Sequence, residues 1–162
     1  IGRRGVTALE SEIVSQLGLN RPLPHDLRGQ MMEEMAKSHC NMLPAGVAEK
    51  MVEVQRARDA HMAVRMVEAG RAPGLDGAVL VAGFGHARTD WGVPSHLHGL
   101  ASAGRVVSVA LMEVHAGEND PNAYGDMLGV RTLPFDFVWF TPRYDDADPC
   151  AKFKKQLELL GK

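Results

Sequence analysis

Residues 77–94, GAVLVAGFGHARTDWGVP, decide how the chain is read. The first seven form an apolar run bounded by glycines, the length of a strand buried in a parallel sheet. A glycine loop follows at once, carrying His86, Arg88, Asp90 and Trp91. Outward from this run, a second apolar stretch at 105–114 and an aromatic one at 135–140 predict two further strands. Helical spacing predicts helices over 4–17, 26–40, 47–68, 95–103 and 151–160, with Asp148 capping the last. Residues 115–129 read as loop with one helical turn at its end. The order predicts an α/β fold, a layered, mostly parallel sheet flanked by helices, in one domain spanning 1–162.

Along the 47–68 helix, Met51, Val54, Met62, Met66 and Ala69 share a stripe, and Gln55 and Arg58 fall among them. Polar groups on an apolar face are costly unless bonded, so this position predicts a paired, partly buried cluster. The helical spacing of the methionines marks them as adaptable core filler in preference to thioether ligands.

Composition narrows the function. The 162 residues are 45% hydrophobic and 23% charged with a net charge of -2, which provides for a core but for no basic surface toward nucleic acid or anionic lipid. No apolar run approaches the ~18 residues of a membrane span. Cys40 and Cys150 stand 110 positions apart without CxxC spacing, so two buried thiols and one long-range disulfide are both open readings.

In open α/β sheets, ligands bind beyond the carboxyl ends of strands, where the 83–94 loop is expected to lie. Gly83 and Gly85 permit close backbone approach, His86 can ligate a metal or move a proton near neutral pH, and Arg88 and Asp90 can orient the imidazole or hold a carboxylate. A glycine turn whose histidine caps a carbonyl shows the same pattern. The GxGxxG fingerprint, the phosphate loop, the GxSxG elbow and HExxH are all absent. His39 ends its helix, where a dipole-stabilised surface histidine is the simpler reading. Tyr124 and Tyr144, the only phenols, lie in predicted loops where either could meet ferric iron.

The segments SHCNMLP (38–44), MVEVQRARDAHMA (51–63), VLVAGFGHARTDWGVPSHL (79–97), VVSVALMEV (106–114) and DFVWFTPRYDDADPC (136–150) together resemble the ChaN-like family of haem-binding proteins, of the haem-binding uptake and Tiki superfamily. The resemblance implies haem as cofactor and partner, a non-catalytic part in bacterial iron acquisition, and a periplasmic or outer-membrane-associated location through an upstream lipid anchor. It also implies haem at a subunit interface with tyrosine ligation, hence a homodimer. The matching site positions are His39, Gln55, Arg58, Asp59, Gly83, Gly85, His86, Arg88 and Gly92, with Arg58 and Arg88 suited to the haem propionates. Trp91 would suit a flat aromatic ligand.

Two departures accompany the resemblance. The family's upstream strand ending in a Gly-Glu-x-His type motif is missing, so the sequence reads as the latter part of such a domain. Phe84 stands where relatives commonly carry asparagine. The alternative function is a metal- or His-dependent hydrolase of the same superfamily, in which His86 and Asp59 or Asp90 activate water.

Overall fold

The computed structural model describes residues 6–100, 104–145 and 147–160, the last five by backbone alone. Among the described residues, seven helices and two strands follow in the order α1 Ser11–Gln16, α2 His25–Ser38, α3 Val47–Gly70, α4 Phe84–Ala87, α5 Val93–His98, β1 Val109–Glu113, α6 Ala123–Met127, β2 Phe137–Thr141 and α7 Pro149–Leu160. The fold mixes helix and strand, with helices beside a small parallel sheet of β1 and β2 in which Val109 faces Phe137 and Glu113 faces Thr141.

The long helices form where the spacing predicts them, with small shifts at their ends. α2 begins at His25 behind Pro24, so the expected Asp26 cap lies inside the first turn. Asp148 does cap α7, its carboxylate accepting the Cys150 amide at 2.9 Å. α1 is shorter than predicted, residues 4 and 5 of that expectation lying outside the described residues. Residues 101–103 of the predicted 95–103 helix lie outside them too, and α5 closes at His98.

α3 carries the largest correction among the helices. Its buried residues are Val52, Gln55, Arg56, Ala57, Asp59, Ala60 and Ala63. Arg58 is exposed, and the cluster partner of Gln55 is Asp59. The stripe shifts because α2 and α5 both pack on this helix and cover neighbouring faces.

Two apolar clusters result. Ala63, Val93, Leu97 and Leu100 join α3 to α5, with Met62 and Met66 packed around them. Met31, Val52 and Trp91 join α2, α3 and the 88–92 loop, with Met32 and Met35 alongside. The methionines thus fill core gaps as their spacing predicts.

The predicted strand at 77–83 does not pair. Its residues lie outside any ladder, and Val79 and Val81 are 93% and 94% exposed. An apolar run buries itself only where a neighbour offers a ladder on one side and a layer on each face. On β1 and β2 the pleat sends Ala110 inward, while Val109, Leu111, Phe137 and Trp139 stand exposed on one face.

One covalent tie joins distant elements. Cys40, at the end of α2, is disulfide-bonded to Cys150 in the first turn of α7, across a Cα–Cα distance of 5.5 Å. This resolves the two readings of the cysteines in favour of the cross-link.

Candidate functional site

The 83–92 segment folds as a glycine-led helical turn, α4, followed by an extended exit at Arg88. Its surroundings differ from those expected: Ala87 accepts a hydrogen bond from the Ser108 hydroxyl, Thr89 donates to Pro134 at 2.9 Å, and Phe84 stacks on Phe135 at 4.8 Å. All three partners belong to residues entering β1 and β2. The loop therefore lies at the amino ends of the two strands, because the run that precedes it is not part of their sheet.

Gly92 locks the turn. Its backbone amide donates to Arg88 at 3.0 Å, and a Cβ there would meet the Arg88 carbonyl oxygen at 2.7 Å and the His86 carbonyl closer still. Any side chain would push the backbone apart and open the loop that holds His86.

Three side chains from two elements meet at the ring of His86. Nδ1 lies 2.5 Å from Asp59 Oδ1 and 2.9 Å from Gln55 Nε2, while Gln55 Nε2 donates to Asp59 Oδ2 at 3.1 Å. Gln55 and Asp59 are one helical turn apart on α3, so both side chains leave the same face. Asp59 accepts from Gln55 and can accept from His86 Nδ1; in that tautomer Nε2 carries the ring's lone pair and the Gln55 amide directs its hydrogens to Asp59. A carboxylate that fixes the tautomer in this way is the usual support of a ligating histidine.

The electrostatics of the triad are set by burial. Asp59 is fully buried, and desolvation pushes its carboxyl above the ordinary range. The hydrogen bond and charge of His86, the Gln55 bond and the Arg58 charge pull it back down. The His86 side chain is 23% exposed, so the ring reaches the surface while its partner does not. Among the described residues, no group bonds its Nε2.

A bound haem needs a ligand for iron, a cation for its propionates and apolar surface for the ring. His86 Nε2 would supply the first. Arg58, exposed and close enough to act on Asp59, would supply the second, and the Phe84–Phe135 pair would supply apolar wall. A Cβ at Gly83 would stand 3.9 Å from His86 Cδ2, the carbon next to Nε2, so glycine keeps that edge of the ring open. These residues fit the group.

The remaining expected positions lie elsewhere. Gly85 abuts Gln55, its ideal Cβ 3.8 Å from Nε2, and so belongs to the cluster. Arg88 does not orient the imidazole; it is 1% exposed, bonds Asp90 through Nε and Nη2 at 3.0 and 2.7 Å, and lies 3.6 Å over the Trp91 ring. Trp91 is itself core, packed with Met31 and Val52. The two expected ligand contacts instead brace the loop from within.

His39 bonds the Met35 carbonyl at 2.8 Å and closes α2, the simpler of its two readings. Tyr124 sits in helix α6 and not in a loop. It is 3% exposed, and its hydroxyl accepts the His115 amide at 2.8 Å. Tyr144 is 89% exposed. Of the two phenols only Tyr144 stands open to a ligand.

Sequence spacing alone would not find the Asp59–His86 pair, since 27 residues and two elements separate them. Arg56 went unnoticed for another reason. It is buried against the Arg21 carbonyl and Glu53, and a buried arginine leaves no periodic signal.

Comparison with known protein families gives a match. The family model described as haem-binding uptake, Tiki superfamily, ChaN covers residues 1–97, well over half of the chain and all of the Gln55–Asp59–His86 cluster. No curated protein and no solved structure matches.

Proposed function

Because the chain belongs to the haem-binding uptake, Tiki superfamily, ChaN family, we propose that it binds haem as cargo for iron acquisition, with His86 Nε2 as the iron ligand. The observation that carries this reading is the 2.5 Å contact between His86 Nδ1 and the fully buried Asp59. That contact leaves one nitrogen with a free lone pair at the protein surface. Asp59 orients the ring, Gln55 holds Asp59, and Arg58 faces the propionates. Arg88 acts through the loop that it braces.

The disulfide supports an oxidising compartment, in keeping with a periplasmic or outer-membrane-associated location. The bare apolar face of β1 and β2 supports a larger layered, mostly parallel sheet, completed by the family's amino-terminal portion or by a second copy in a homodimer.

A hydrolase would use the same pair, with His86 Nε2 taking a proton from water and Asp59 stabilising the charged ring. Asp90 is excluded from that part by its bonds to Arg88.

Titration with hemin is expected to produce a saturable Soret band that His86→Ala abolishes and Tyr144→Phe leaves in place. Loss of the band in Tyr144→Phe with retention in His86→Ala would transfer the ligand to the phenol. No band at stoichiometric hemin overturns the haem reading itself.

A further inference from the structure

The segment between α1 and α2 arches over a cavity of about 230 Å³ remote from the His86 cluster in its lining. Leu19, Leu23, Leu27, Met31 and Trp91 form its apolar wall. Arg21 stands exposed at the cavity's edge with no partner for its guanidinium among the described residues. Buried Arg56, half-buried His96, Ser95 and Asp90, whose carboxylate is bonded to Arg88, also line it, Arg56 donating to the backbone carbonyl of Arg21 at 3.1 Å.

We propose that this cavity is a second binding site, for a small carboxylate with an apolar tail, whose tail lies against the leucine and methionine wall and whose head pairs with Arg21.

Size, shape and charge each point to this class. A dry cavity of about 150 Å³ takes up benzene, so 230 Å³ holds a molecule of roughly nine heavy atoms. A porphyrin is several times larger, which separates this site from the haem reading. The leucine and methionine side takes the apolar tail, the Asp90 carboxylate is already bonded to Arg88, and Arg21 offers an unpaired cation for a charge-assisted hydrogen bond. His96 adds no competing charge: burial, then the charge of Arg56, holds its pKa down to about 4, so its ring is neutral at physiological pH. The cavity also has a reason to stay formed. Pro22 and Pro24 stiffen the arch, and the Arg56 bond ties it to α3.

Hexanoate titration followed by NMR of the Met31 and Leu27 methyl groups tests the site. Saturable shifts are expected, weakened about tenfold in Arg21→Ala and about tenfold with hexanol in place of hexanoate. Arg21→Ala keeps the carbonyl that Arg56 uses, so the arch survives the substitution, and unchanged methyl spectra of the free variant verify this. Absence of saturable shifts overturns the site. Equal binding of hexanol, or unchanged affinity in Arg21→Ala, overturns the carboxylate class. Neither outcome touches the Soret band assigned to His86.

Discussion

Replacing Cys40 and Cys150 together by alanine is expected to lower the unfolding free energy by about 4 to 5 kcal/mol, the chain-entropy value for a loop of roughly a hundred residues. The bond closes 110 positions of chain, and most of the effect arises in the unfolded state, which gains freedom when the cross-link is gone. A local consequence accompanies it. α7 is held by its first turn to the end of α2, and its residues Ala151, Lys152, Lys154 and Lys155 are exposed while Phe153 is half-buried, so the tie anchors the start of this helix. Guanidinium denaturation of the variant against the oxidised parent measures the loss. A difference below about 1 kcal/mol would contradict the cross-link as a stabilising element.

Acidification is expected to destabilise the fold through His96. Its ring is largely buried on α5, and desolvation followed by the Arg56 charge lowers its pKa from 6.5 to about 4. Between those values the unfolded chain takes up a proton that the folded one refuses. Stability is therefore fully present above pH 6.5 and lost as pH falls toward 4, by on the order of 3 kcal/mol. Asp59 works in the opposite sense, since burial raises its carboxyl and protonation then relieves the folded state. The His96 contribution is isolated by the difference between the parent and His96→Leu at each pH. That difference should shrink from pH 7 to pH 4; a difference constant over the range would contradict a neutral buried ring.

Much of the helical framework was legible because burial on one face repeats every three to four residues, as in α2 and α3. What periodicity could not supply was the phase and the partner. On α3 the apolar stripe pointed to Arg58 as the companion of Gln55, but packing on two sides of the helix buries Asp59 and leaves Arg58 outside. At 77–83 the composition of a buried strand was present and the ladder was not, because composition records what a segment tolerates and says nothing of what lies beside it.

The site shows the same division. Glycines 83, 85 and 92 announced a tight loop, and Gly92 proves sterically necessary. The meeting of His86 with Asp59 is tertiary, and only the family resemblance connected them in advance. Tyr124 was drawn toward a ligand role by its chemistry, and Arg88 by its chemistry together with the family resemblance. Their burial against Asp90 and Trp91, and against Phe140 and His115, turns that same chemistry to structural use.

The most direct test of the account is resonance Raman spectroscopy of the hemin-loaded, reduced protein prepared with ¹⁵N-labelled histidine. An iron–nitrogen stretching mode that shifts with the label, weakens in frequency in Asp59→Asn and vanishes in His86→Ala is the predicted result. A mode that persists in His86→Ala, or no label-sensitive mode at all, would contradict His86 as the iron ligand.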